Sequence, residues 1–143
     1  MGKPIRLLIA DIDVNFSKKL KLFLEKDKEI KVINTVRDGH GLVNACRDML
    51  PDIVLMDLHL PVVDSVRAIQ LIIAQNEFAK ILVVSSDPDD RYAIEAVKAG
   101  ACGYAVKKGG ESYRDIVNAI QQIAKGEVVL NPTLASQVLR EFS

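Results

Sequence analysis

Short apolar runs rich in β-branched residues alternate five times with amphipathic stretches along this chain, and that alternation leaves few folds open. The runs lie at 5–10, 30–36, 53–56, 81–84 and 103–106, and the first and third are apolar almost throughout, as strands buried on both faces are. Between the first two, Phe16, Leu20, Phe23 and Leu24 recur at spacings of three and four, while Lys18, Lys19, Lys21 and Lys26 occupy the remaining face. Leu42, Ala45, Cys46 and Met49 repeat the pattern, then Val66, Ile69, Ile72 and Ile73, then Ala93, Ala96 and Val97 ending near Gly100. A fifth helix carries Ile116, Ile120, Ile123 and Ala124, with Gly126 as its stop. Strict β-α alternation implies a parallel sheet covered on both faces by right-handed crossovers, because parallel neighbours need a long connection. After the fifth helix, Asn131 and Pro132 supply an N-cap and a first-turn proline, and Leu134, Val138, Leu139 and Phe142 mark a short sixth helix.

The chain has 143 residues, the size of one domain with a real core, and its 49% apolar and 27% charged content excludes disordered and fibrous classes. Nineteen basic residues balance 19 acidic ones, so no positive field exists to hold a phosphate backbone, and nucleic acid binding by this segment is not expected. The opening MGKPIRLLIAD is too short in apolar residues for a signal-peptide core or a membrane span, which points to a cytoplasmic protein. Cys46 and Cys102 have neither CxxC spacing nor a histidine cluster nearby, so they read as small, buried apolar residues rather than as a zinc or disulfide framework. His40 reads as a surface residue.

In open parallel sheets the working crevice lies outside the carboxyl ends of the strands. The residues ending four of the strands are Asp11, Asp57, Ser85 and Lys107, and these are expected to converge. A carboxylate that is to be phosphorylated needs a second acid to help hold a divalent metal, a cation for the phosphoryl oxygens, and a hydroxyl to bond one of them. The four residue types fit those roles. Asp57 could instead cap the next helix, but Asp64 is better placed for that.

IRLLIAD at the first strand, DIVLMDLHLP around the third, KILVVSS at the fourth and KAGACGYAVKK through the fifth together resemble the CheY-like receiver domains of two-component response regulators. The likeness covers nearly the whole chain and is greatest to the NarL/FixJ class, whose output domain is a LuxR-type helix-turn-helix. It implies a flavodoxin-like, doubly wound five-stranded sheet of order 2-1-3-4-5 with the short extra C-terminal helix. A receiver at 1–126 and a linker-like helix at 127–143 follow from it. It further implies a phosphoacceptor at Asp57, a phosphate-binding Lys107, a phosphoryl-sensing Ser85 and an aromatic switch at Tyr104, whose ring turns inward when the hydroxyl is drawn to the phosphoryl group. Pro61 matches the proline that shapes the loop after the phosphoacceptor. The implied metal is Mg²⁺, held by Asp11, Asp57 and the main-chain carbonyl of His59, a position at which the side chain is nearly free. The implied partner is a sensor histidine kinase. Such a protein is a phosphoprotein of signal transduction that catalyses its own phosphoryl transfer and autodephosphorylation, and it is not otherwise an enzyme.

One departure matters more than the agreements. Asp11 falls on the family's first acidic position, but Ile12 occupies the second, where a carboxylate normally contacts the metal. Asp13 falls one place later and could substitute only if the loop takes an unusual path. Magnesium is held by few protein carboxylates, so losing one weakens it. Ser65 stands where many members have glycine, and Lys107-Lys108-Gly109 replaces a common Lys-Pro.

Three functional classes are compatible with a chain of this pattern. The first is a phosphorylation-controlled switch acting in transcription through a DNA-binding domain outside the chain. The second, motivated by Ile12, is a pseudo-receiver: an interaction module with weak or no Mg²⁺-dependent phosphorylation. The third, a small flavin carrier of similar topology, is disfavoured, because DIDVNFSKK is acidic and lacks the glycines and small hydroxyl residues suited to a flavin phosphate. The sixth helix exposes an apolar stripe unless it docks back or pairs, so a homodimer contact is the alternative to docking.

Overall fold

A computed structural model describes residues 2–108 and 110–142. The elements follow in the order β1 (Ile5–Ala10), α1 (Val14–Leu24), β2 (Ile30–Val36), α2 (Gly39–Met49), β3 (Ile53–Asp57), α3 (Ser65–Gln75), β4 (Lys80–Ser85), α4 (Ala93–Ala99), β5 (Gly103–Val106), α5 (Gly110–Ala124) and α6 (Pro132–Arg140). The strands form one parallel sheet of order β2-β1-β3-β4-β5, the order implied by the family resemblance. The chain runs outward from β1 to β2 and then crosses back to β3, so the strand order reverses between β1 and β3. This opens a crevice at their carboxyl ends.

Side chains alternate across a strand, so each strand feeds both layers. Leu7 and Ile9 of β1 pack with Phe16, Leu20, Ile116 and Ile120 of α1 and α5. Leu8 and Ala10 pack on the opposite face with Leu42, Ala68, Ile69 and Ala96 of α2, α3 and α4. Among the described residues, four helices begin on a side-chain cap: Asp13, Asp38, Asp64 and Asn131 accept from the main-chain N–H of Phe16, Gly41, Arg67 and Leu134. Asp64 is thus the cap expected from sequence.

Two strands run further than their apolar cores. Asp57 and Ser85 are the last residues of β3 and β4 rather than the first loop residues, and β4 also begins one residue early, at Lys80. The parallel ladder extends to hold them: Leu58 N–H donates to Val84 at 2.9 Å and Lys107 N–H to Ser85 at 2.9 Å. Their side-chain directions are therefore set by the sheet. Cys46 is buried, Cys102 half-buried, and both thiols are free; His40 is exposed.

The C-terminal segment docks back. Val129 bridges Gly103 beside β5, and the Tyr104 N–H donates to the Val129 carbonyl at 3.0 Å. Leu134 of α6 is 5% exposed within the α2/α3/α4 core, with Leu130 and Val138 packed against it, whereas Leu139 and Phe142 stay exposed. Among the described residues no helix is long and apolar enough to cross a membrane.

Candidate functional site

The pairing register decides which strand-end side chains meet. Ala10 pairs Met56, so Asp11 lies level with Asp57, and both follow the α1/α5-facing parity of Ile9 and Leu55. Val84 pairs both Asp57 and Ala105, which places Lys107, two residues beyond Ala105, on that same face. Ser85 and Tyr104 have the opposite parity and face the α4 layer.

Three of the four expected groups converge. The Lys107 ammonium lies 2.7 Å from Asp11 Oδ2 and 2.5 Å from Asp57 Oδ2, and its Nζ sits 4.7 Å from the centre of the Phe16 ring. The other carboxylate oxygens accept main-chain protons, Asp11 Oδ1 from Asp13 N–H at 2.9 Å and Asp57 Oδ1 from His59 N–H at 2.6 Å. Asp11 and Asp57 are both buried. Burial pushes the Asp11 carboxyl above the usual aspartate range, with the Asp57 charge adding to it, and the hydrogen bonds from Lys107 and Asp13 offset this only in part. Burial works the other way on Lys107, but hydrogen bonds and charge from Asp11 and Asp57 outweigh it and raise its pKa. The result is a half-buried cation between two buried acids.

Ser85 is turned elsewhere. Its hydroxyl donates to Asp90 Oδ2 at 2.9 Å and accepts the Asp87 N–H at 3.1 Å. The same Asp90 oxygen faces His59 Nε2 at 2.5 Å, and Asp90 Oδ1 accepts the Tyr92 N–H at 3.0 Å. Burial opposes the charge on Asp90, yet the hydrogen bonds from His59, Tyr92 and Ser85 hold its carboxyl below the usual range. Tyr104 is buried with its hydroxyl donating to the Asp87 carbonyl, so the ring is already inward while Ser85 is held by Asp90. The His59 ring, expected to be an idle loop side chain, instead joins Asp90 and meets Tyr92 edge-on at 5.6 Å.

Asp90 and the His59 ring were not legible as site residues. Asp90 is the last acid of DPDD, and nothing in the order of residues separates it from Asp87 or Asp89. Only the path of the β4–α4 loop does so.

The donor set near Asp57 consists of two carboxylates, Asp11 and Asp57, that already share one cation. That suits Mg²⁺, which is commonly bound through one or two carboxylates and keeps several waters. Ile12 is 57% exposed and supplies no donor, and Asp13 Oδ1 accepts the Phe16 N–H at 3.1 Å as the cap of α1. Among the described residues no group of three or more His, Cys, Asp or Glu side chains is arranged to hold a metal.

Comparison with known proteins agrees with this architecture. Residues 7–121 match the model of the response regulator receiver domain. The transcriptional regulatory protein LnrK of Bacillus subtilis (strain 168) is 33% identical over 138 residues, covering 96% of this chain and 62% of that protein. The protein-glutamate methylesterase/protein-glutamine glutaminase 3 of Syntrophomonas wolfei subsp. wolfei is 35% identical over 144 residues, covering 92% of this chain and 40% of that protein. The chain thus spans less than two thirds of either relative. Among solved structures, a LuxR-family two-component response regulator from Aurantimonas sp. SI85-9A1 superimposes with a TM-score of 0.85 at 26% identity, over 97% of this chain and 98% of that one. The strand-end acids, the shared lysine, the strand order and these likenesses lead to one conclusion: the chain belongs to the response regulator receiver domain family.

Proposed function

We propose that this receiver is a phosphorylation-controlled switch whose phosphoacceptor is Asp57. The observation that carries the reading is the Lys107 ammonium lying between Asp57 and Asp11 at 2.5 and 2.7 Å. A sensor histidine kinase supplies the donor. One Asp57 oxygen attacks phosphorus in line, the P–N bond of the phosphohistidine breaks, and the imidazole leaves with its electron pair and takes up a proton. Lys107 stabilises charge on the equatorial oxygens from a position fixed before the reaction, so no reorganisation is needed. Asp11, Asp57 and the His59 carbonyl are the groups to hold Mg²⁺, which when bound neutralises phosphoryl charge.

Once Asp57 is phosphorylated, Ser85 bonds a phosphoryl oxygen, and the β4–α4 loop, α4 and Tyr104 form the element whose two states are rebalanced. Residues 1–126 are the receiver unit and 127–143 the linker toward an output domain. Transcription control through a DNA-binding domain beyond this chain is the role we assign to the whole protein, in the cytoplasm. The test is intact-mass measurement after treatment with acetyl phosphate and Mg²⁺. One phosphoryl mass is expected, absent in Asp57→Asn; undiminished labelling of that variant removes the assignment.

A second reading, the pseudo-receiver, is favoured by two observations: Ile12 offers no side-chain oxygen, and Asp13 Oδ1 caps α1. A Mg²⁺ titration followed by amide chemical shifts at residues 11–13 and 57–59 separates the two. Saturation at millimolar Mg²⁺ supports the switch, and no response supports the pseudo-receiver.

A further inference from the structure

A hydroxyl has one proton to give, and that of Ser85 goes to Asp90. Asp90 is not a casual acceptor. Its side chain is 6% exposed, its Oδ1 is fixed by the Tyr92 N–H, and its Oδ2 is shared between Ser85 and the His59 ring. His59 also reaches the other side of the site, because its own N–H donates to Asp57 Oδ1. His59 thus joins the two sides, its main-chain N–H bonded to Asp57 and its ring to the Asp90 oxygen that holds Ser85. Tyr104 is already inward on the Asp87 carbonyl, so of the two expected switch movements only that of Ser85 remains to be made.

We propose that Asp90, braced by His59, is a positioning residue that latches the Ser85 hydroxyl away from the phosphoryl site and thereby sets how readily the phosphorylated state forms. The proposal rests on Asp57 being the phosphoacceptor. Before Ser85 donates to a phosphoryl oxygen it must give up a charge-assisted bond to a buried carboxylate. Without Asp90 that opposition disappears.

The experiment measures apparent affinity for beryllofluoride with Mg²⁺ in the full chain, for the wild type, Asp90→Ala, Asp90→Asn, Ser85→Ala and the Asp90→Ala/Ser85→Ala pair. Asp90→Ala is expected to tighten binding by on the order of tenfold, the net worth of one charged hydrogen bond. Asp90→Asn, which keeps an acceptor oxygen, should return most of the way to wild type. In the Ser85→Ala background the effect of Asp90→Ala should vanish, which loosening of the loop alone would not produce. A wild-type measurement covers the case in which Asp90→Ala does not fold: the Asp87 amide, which donates to Ser85 Oγ, should lose its bonded shift when beryllofluoride binds. Unchanged affinity in Asp90→Ala, an effect that persists without Ser85, or an unmoved Asp87 amide each overturns the latch. A wild type that takes neither beryllofluoride nor a phosphoryl group instead overturns the Asp57 reading, and the latch with it.

Discussion

Ser65 Oγ donates to the main-chain carbonyl of Asp57 at 2.7 Å and accepts the Leu60 N–H at 3.0 Å, so one buried hydroxyl ties the end of β3 to the loop beyond it. A glycine at this position could make neither bond. Ser65→Ala leaves the buried Leu60 N–H and the Asp57 carbonyl without this partner. The expected loss is about 1–3 kcal/mol, the cost of an unsatisfied buried polar group. Urea unfolding checks it: the midpoint should fall with the slope unchanged, and an unmoved midpoint would show that the loop satisfies these groups otherwise.

The same loop carries a strained residue. Val62 has φ of 73°, a left-handed conformation that a β-branched side chain adopts only at a cost, and its side chain is exposed and contributes no core packing. Val62→Gly removes about 1–2 kcal/mol of that strain. Part of the gain is lost to the greater freedom of glycine in the unfolded chain, which leaves a net stabilisation of about 0.5–1 kcal/mol. Thermal unfolding of the variant should show a higher midpoint; a lower one would mean that the valine side chain contributes contacts outweighing its backbone strain.

The core triad was readable before the structure because it depends only on strand identity and parity. Once the five strands are placed in parallel register, Asp11, Asp57 and Lys107 fall on one face by counting in twos. The same counting sends Ser85 to the other face, a consequence the expectation of four convergent groups overlooked. What could not be read depends on loop paths. Asp90 reaches Ser85, and the His59 ring reaches Asp90 across 31 residues, because the β3–α3 and β4–α4 loops lie side by side, and no periodicity encodes that. The sequence leaves α6 open between return and pairing, since an apolar stripe specifies burial but not the partner.

Lys107 sets a pH dependence whose sign follows from its neighbours. Lys107→Met keeps an apolar stem near Phe16 but leaves Asp11 and Asp57 facing each other in a buried site. Removing one member of such a pair costs about 3 kcal/mol at neutral pH. Asp11, already pushed above its ordinary value of 3.8, is pushed further in the variant. An acid with a raised folded pKa binds its proton more tightly when folded, so its contribution to stability falls as pH rises above the ordinary value. The stability gap between wild type and Lys107→Met should therefore widen from pH 4.5 to pH 7.5. In the wild type the raised Lys107 pKa acts as a base: its contribution is fully present below 10.5 and is lost as pH rises through the folded value. A gap that is constant across the acid range would show that the two carboxylates do not share a desolvated site.

Cys46 offers a probe of the core that needs no mutation. Burial pushes its thiol up to about 12, and its side chain lies in the α2/α3/α4 layer, so little thiolate exists near neutral pH. Iodoacetamide should leave Cys46 unmodified in the native protein and modify it promptly in denaturant. Peptide mass mapping of the two thiols gives the result; rapid native labelling at Cys46 would mean that this layer opens on the timescale of the reaction.

The returning C-terminal segment makes a measurable contribution. Leu134 is 5% exposed in the core, and Val129 accepts the Tyr104 N–H while donating its own N–H to the Cys102 carbonyl at 2.9 Å. A chain ending at Gly126 loses both β5 contacts and the apolar cover from Leu130, Leu134 and Val138. It retains the whole five-stranded sheet and α1 to α5, so it should still fold, but with lower stability and with Tyr104 no longer covered by the segment that now lies beside it. Leu134→Ala isolates the apolar part, at about 2 kcal/mol, the low end of leucine truncation because the site lies at the margin of the core. Chemical unfolding of the full chain, Leu134→Ala and the 1–126 chain should rank them in that order. Equal midpoints for all three would mean that the segment rests on α4 and β5 without stabilising them. A 1–126 chain that fails to fold would make residues 127–142 part of the receiver unit and move the boundary we propose.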